Sequence, residues 1–350
     1  MSAGGGACRT VEPVRPRYFF SRRDAIRLAM ALATASCAGR ATTPLAGPAR
    51  PAPPLHLDPL ADIVPGAGLM WLVEARPAEL WANEVSRRVA TTLVAPARLD
   101  AFAAGHGGVD LRTAKEFVAA GFADSTLTLV STPVQAEPIV AAFGSGAVTV
   151  DGRSTDHGVT RVWARRANRP AGEELAVFGE RAVGWERGRC QMLRVASLLA
   201  EGRLHRALPA LHVEPLASAA AAVGDAPIRA FAPGPFQGEY AKGLGGLLRA
   251  ATAVAATVRP GSRSDLVFHF ALFGAWGHDA PGAVDRLAAA FETLGLDPIG
   301  RLMGVDSAID GPHTWSQDGT LRLEVSLDAN AMARGLHAAT DASVEEMMSY

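Results

Sequence analysis

Between Ala147 and Gly188 the chain carries strand patterns only, at hairpin spacing, and this stretch constrains the fold more than any other. Ala147-Val148-Thr149-Val150 runs into the turn pair Asp151-Gly152, and Val159 to Ala164 follows. Leu175 to Phe178 faces Ala182 to Trp185 across Gly179-Glu180-Arg181. Runs this short, separated by turn residues, pair with their neighbours in antiparallel order, because parallel pairing needs a crossover of a dozen residues or more. The sheet is therefore expected to be mostly antiparallel.

Helical patterns flank that stretch. Leu69 to Val73 reads as a buried strand ended by Arg76-Pro77, and Leu80, Trp81, Val85, Val89 and Leu93 then share one helical face. A second helix is expected from Pro96, closed by Gly105-His106-Gly107-Gly108. Asp110 is placed to cap a third, from Leu111 to Ala120. Thr126 to Val130 reads as a strand, and Glu137 to Phe143 and Gln191 to Ala200 as helices. The second half replays this order. Leu216 to Val223 is helical, Ile228 to Ala232 a strand, and a helix is expected from Phe236 onward. Leu266 to Phe273 is apolar on both faces, as in a central strand. Val284, Leu287, Ala288, Phe291 and Leu294 form an amphipathic helix face. Leu321, Leu323, Val325 and Leu327 alternate with polar residues, and Asp328 can cap a final helix. The expected class is α+β: mostly antiparallel sheets with packed helices, in two related halves over residues 59–210 and 211–350.

Composition agrees with a large core. The apolar fraction is 49%, the charged fraction 20%, and the formal net charge −1. That balance excludes a nucleic-acid partner as an expectation, because phosphate binding needs a basic surplus. Nearly all the basic residues are Arg; Lys stands only at 115 and 242. Cys8 and Cys37 precede the folded part, which leaves Cys190 as its single thiol, read as a buried small hydrophobe. With no second thiol to pair with, the fold depends on burial.

Residues 1–58 carry a different message. Ser21-Arg22-Arg23-Asp24-Ala25-Ile26-Arg27 precedes a short, mildly apolar run from Leu28 to Ala35. The segment resembles a twin-arginine signal peptide, with Arg22 and Arg23 in the places of the family's arginine doublet and Ala25 where an aromatic is usual. The run is too short for a membrane span of about 20 residues. Thr34-Ala35-Ser36-Cys37 resembles a lipoprotein box, with Thr34 where Leu is preferred. The resemblance implies cleavage of residues 1–36 and acylation of Cys37; cleavage after Ala33-Thr34-Ala35 is the alternative, leaving a soluble periplasmic or secreted protein. Residues 37–58 form a Pro- and Ala-rich tether. Ala38 resembles the outer-membrane sorting signal. In leader, tether and texture the chain is similar to the lipoproteins of GC-rich Gram-negative bacteria, myxobacteria especially. That likeness implies an envelope location, the membrane as partner through the lipid, other envelope proteins as further candidates, and no activity.

Catalytic signals are weak. No Cys-x-x-Cys pair, G-x-S-x-G elbow or Ser-x-x-Lys occurs, and no cofactor motif is legible. Gly243-Leu244-Gly245-Gly246 lacks the Lys-Ser/Thr of a phosphate loop. His269, in Phe268-His269-Phe270, reads as a core histidine with one satisfied hydrogen bond. His278, Asp310 and His313 follow strand-like segments and could meet at a sheet end as metal ligands or as a hydrolase site. Glu173-Glu174 and Glu345-Glu346 read as solvated loop or tail charges. The small-residue runs 216–223 and 243–258, taken as helices, could line a groove for an acyl chain. The expected function is a non-catalytic structural or binding module of the envelope, with a metal-dependent or hydrolytic enzyme and an apolar-ligand carrier as alternatives.

Overall fold

The computed structural model describes residues 54–339 apart from 148, 167, 168, 190, 263 and 303. The arginine doublet, Cys37, nearly all of the tether, Cys190 and Glu345-Glu346 lie outside the described residues.

Twelve strands form a single antiparallel sheet. In chain order the elements are β1 (Leu69–Ala75), α1 (Pro77–Ala82), α2 (Glu84–Leu93), α3 (Pro96–Gly105), β2 (Glu116–Phe122), β3 (Ser125–Ser131) and α4 (Ala136–Ser145). Then come β4 (Thr149–Asp156), β5 (Val159–Arg166), β6 (Arg169–Phe178), β7 (Ala182–Gly188), α5 (Met192–Ala200) and α6 (Leu216–Val223). The remainder is β8 (Ile228–Pro233), β9 (Ala251–Pro260), β10 (Asp265–Gly274), α7 (Ala280–Leu296), α8 (Pro298–Leu302), β11 (Asp310–Gln317), β12 (Thr320–Asp328) and α9 (Ala329–Ala339).

The strand order is β11-β12-β10-β9-β8-β1-β2-β3-β7-β6-β5-β4. Read outward from the β1–β8 seam, both directions repeat one plan. A first strand is followed by a hairpin (β2-β3 or β9-β10), then a helix (α4 or α7), then a hairpin whose last strand returns beside the first hairpin (β7 on β3, β12 on β10). The first half inserts one more hairpin, β4-β5, at its outer edge. The repeat lies in the strand order and not in the strand-then-helix order expected from sequence, since no α-helix lies between β8 and β9; the described residues belong to one compact unit in which the two runs share a sheet.

Helices pack on both faces. On the first face α5, α6 and the 57–64 segment cover Leu72, Val118, Leu127, Leu129, Phe178 and Phe231. On the second face α3 and α4 cover Val130, Leu175, Val177 and Val183, while α7 covers Leu272, Leu321 and Leu323. Val89 of α2 meets Leu266 and Met332 at the end of the sheet. Burial of this much apolar area is the main force holding the sheet.

Several local expectations are overturned. Asp110 caps only a short turn, its carboxylate accepting from Arg112 N at 2.9 Å, and residues 116–122 are strand β2. Val118 and Ala120 alternate into the core against Leu72, so pairing on both sides outweighs the capping signal. The helix over 77–93 is split at Asn83, which accepts from Ser86 N and starts α2 afresh. The turn expected at Asp151-Gly152 is strand; β4 bulges there and turns instead at His157 and Gly158, both at positive φ. Between Phe236 and β9 no α-helix forms. Gly245 and Gly246 break a 3₁₀ run with positive φ, and Ala251, Ala253, Ala255 and Thr257 then alternate into the core as strand β9. The helix expected over 243–258 as one wall of an acyl groove is therefore absent.

Candidate functional site

Strand register gathers polar residues into one line on the first face. Glu74 pairs with Arg229, Arg229 with Thr257, Thr257 with His269, His269 with Glu324 and Glu324 with His313. Cross-strand partners share a face, so these six residues form a row over six adjacent strands, about 24 Å long at the usual strand spacing.

The outer end of the row is open. His313 Nε2 lies 3.3 Å from Asp310 Oδ1, with side chains 67% and 71% exposed. His278 does not join them. Asp310 pairs with Ser326, which pairs with Val267, whereas His278 lies beyond Gly274 at the other end of β10. Seven strand residues separate those levels, about 23 Å. Among the described residues no group of three His, Cys, Asp or Glu is close enough to hold a metal ion. His269 is half-buried rather than in the core, its ring 5.9 Å from that of Trp315. Burial, aided by the nearby Arg322 charge, pushes its pKa down and favours the neutral imidazole.

The inner end of the row borders a partly open pocket. A cavity of about 170 Å³ lies against the seam, between the ends of β1, β2 and β8 and the Pro59–Ala61 segment. Its charged lining is Glu74, Arg76, Glu116, Asp225 and Arg229. Its apolar walls include Ala61, Phe117, Val118 and Pro227. Arg229 Nε donates to Glu74 Oε2 at 2.8 Å, and its Nη1 reaches Gly224 O at 3.4 Å. Arg76 donates from Nη1 to Asp225 Oδ1 at 2.6 Å, its Nε lies 2.7 Å from Glu79 Oε2, and its backbone N–H donates to Pro227 O. Glu116 Oε2 accepts from Leu60 N at 2.6 Å, which ties the 57–64 segment to β2.

Electrostatics separate the acids. Burial raises the Glu74 pKa; Arg229 opposes this, while the Glu116 and Asp62 charges add to it. Glu74 Oε1 is buried and has no hydrogen-bond partner. Asp225 moves the other way, held below the usual carboxylate range chiefly by its hydrogen bond from Arg76. The guanidinium groups are thus paired with carboxylates, and two buried polar atoms of the lining, Glu74 Oε1 and Arg76 Nε, have no hydrogen-bond partner.

Further buried polar groups, Glu174 and Glu186 on the first face and Glu173 on the second, overturn the reading of Glu173-Glu174 as solvated. Both sit in β6 and are buried, as is Glu186 opposite Glu174 on β7. Glu174 pairs with Arg161, whose Nε is at 2.6 Å and whose guanidinium stacks over Trp163. Glu173 pairs with Arg166 and Arg187. Glu186 accepts from Gln191 N at 3.2 Å and Leu193 N at 2.6 Å, capping α5. Glu173 and Glu186 hold strands and a helix together, while Glu174, paired through Oε1, keeps a buried Oε2 without a hydrogen-bond partner.

Sequence reasoning missed Glu74 and Arg229. The available signal was a single acid in the apolar strand Leu-Met-Trp-Leu-Val-Glu-Ala and a single base in Ile-Arg-Ala-Phe-Ala-Pro, opposite charges in two otherwise apolar runs. Comparisons of the chain with protein-family models, with curated proteins and with solved structures each find no match.

Proposed function

We propose that this protein is an envelope lipoprotein, exported by the twin-arginine route and held by acylated Cys37 on the periplasmic side of the outer membrane. On this reading its sheet is a non-catalytic binding module whose site is the seam cavity. The leader and lipobox-like residues support the location, and the Pro-rich stretch supports a spacer of up to about 60 Å between lipid and domain. The observation that carries the binding role is the cavity's chemistry. Both guanidinium groups are paired with carboxylates, and that of Arg229 also with the Gly224 carbonyl, so they shape a pocket without being free to move a proton or attack a bond. Cell fractionation tests the location. With Arg22 and Arg23 both changed to Lys, the protein is expected to stay in the cytoplasm with its leader uncut; export at the normal level would refute the route.

A further inference from the structure

We infer that the first face of β12 and β11 carries a binding site of its own, in which Arg322 takes the carboxylate of a small aromatic acid and Trp315 carries its ring. The site lies apart from the seam cavity and goes beyond that reading.

Strand register places it. One step along the strands from the polar row, Leu72 pairs with Phe231, Phe231 with Ala255, Ala255 with Ala271, Ala271 with Arg322 and Arg322 with Trp315. The first four are buried on the first face, where α6 packs over β8, β9 and β10. Arg322 and Trp315 lie beyond that cover. Among the described residues, the α-helices that meet β12 and β11 are α7 and α9, and both pack on the second face, against Leu321, Leu323 and Leu266.

Charge sets the sign of the ligand. The half-buried arginines Arg76, Arg112, Arg161, Arg166, Arg187 and Arg229 each pair with a carboxylate. Arg322 is half-buried too, and among the described residues it pairs with none. Its one hydrogen bond, from Nη1 to Ala222 O at the end of α6, is 3.5 Å long. Nε is buried without an acceptor; Nη2 has no acceptor either, and it is not buried. A helix end supplies about half a negative charge at most, so the guanidinium keeps an excess that a bound anion neutralises. The neighbouring acids are taken: Glu324 lies 3.3 Å from Arg259 Nη2 of β9, and Asp310 lies 3.3 Å from His313 Nε2 on β11. His269 of β10 is kept neutral by burial and then by the Arg322 charge, so it brings no competing anion.

Shape sets the rest. Guanidinium and carboxylate are both planar, and an open Nη2 beside a weakly held Nη1 offers two parallel donors to two oxygens. Trp315 stands directly across from Arg322, about 5 Å away at the usual strand spacing. It is half-buried, with its ring 5.9 Å from that of His269. Indole and neutral imidazole give a flat surface beside the charge, which an aromatic ring covers and a compact oxyanion does not.

The test is an NMR titration of the purified full-length protein with sodium benzoate, beside sodium acetate, sodium phosphate and benzylammonium chloride at equal ionic strength. Benzoate should give saturable shifts at the Trp315 indole N–H and the His269 ring. It should also raise the His269 pKa, by offsetting the Arg322 charge. Acetate, which lacks the ring, should bind about fivefold more weakly, and benzylammonium not at all. Arg322→Gln should weaken benzoate about tenfold or more, and Arg322→Lys, which keeps the charge without the fork, should not restore it. Should the Gln variant not fold, Trp315→Ala at the sheet edge serves, with an expected loss of about fivefold. Unchanged benzoate affinity in these variants, or shifts scattered over exposed arginines, overturns the inference. Phosphate binding at Trp315 and His269 as tightly as benzoate overturns the aromatic-acid assignment, and the absence of a saturable shift with every probe overturns the site. None of these results bears on the seam cavity.

Discussion

Replacing Arg161 by alanine strips the paired guanidinium from a carboxylate that has no solvent to fall back on. Glu174 has no exposed side-chain surface, and Arg161 is 18% exposed. Glu186, also fully buried, sits directly opposite Glu174 on β7, and its charge pushes the Glu174 pKa further up. Removing one partner of a buried pair leaves an uncompensated charge and costs about 3–5 kcal/mol, far more than the few tenths lost with an exposed pair. Burial is the first cause of the raised Glu174 pKa, and Arg161 is the first force opposing it, so the substitution lifts that pKa further. The sign of the pH dependence follows. An acid whose folded pKa lies above its unfolded one penalises the fold only as pH rises through the folded value. Urea unfolding of Arg161→Ala should therefore show a smaller deficit at pH 5 than at pH 8. Adding Glu174→Gln in the same background should recover stability at pH 8. A deficit below about 1 kcal/mol that is independent of pH would refute the buried-pair account.

Other substitutions report on other parts of the sheet. A Cβ on Gly121 would lie 2.1 Å from Trp71 Nε1, so Gly121→Ala should displace that indole, red-shift tryptophan emission and cost about 1–3 kcal/mol in denaturant. Leu287→Ala, which empties the α7 side of a fully buried contact with β10 and β12, should cost about 2–5 kcal/mol by the same assay. Asn83→Ala removes the acceptor that starts α2 and should cost about 1 kcal/mol. Arg76→Gln should bring the Asp225 pKa back up toward its ordinary value, measured by carboxyl NMR. Asp225 contributes stability that is present above its unfolded pKa and lost as pH falls through the folded one, so the variant should show less acid sensitivity there.

What the sequence disclosed depended on how local the cause was. β10 and β12 were legible because their apolar residues fill both faces or alternate cleanly. The cap of α9 was legible too, Asp328 accepting from Ala331 N at 2.6 Å. Strand β2 was not, because Asp110 and the run behind it satisfy helix rules until β1 and β3 claim it from either side. Strand β9 was hidden by its alanines, which fit helix and sheet alike; the pair Gly245-Gly246 was the local sign that a helix stops. Glu173 and Glu174 read as solvated because the bases that neutralise them stand on β5 and β7. The seam site is the extreme case. Glu74 and Arg229 are 155 residues apart and meet only because the two strand runs join along β1 and β8.

Acylation of Cys37 is the point on which the envelope account stands most directly. Cells grown with an alkyne analogue of palmitate should yield a labelled protein in the outer-membrane fraction, with the label lost and the protein released in Cys37→Ser. An unlabelled protein that stays with the membrane in both strains would contradict the account.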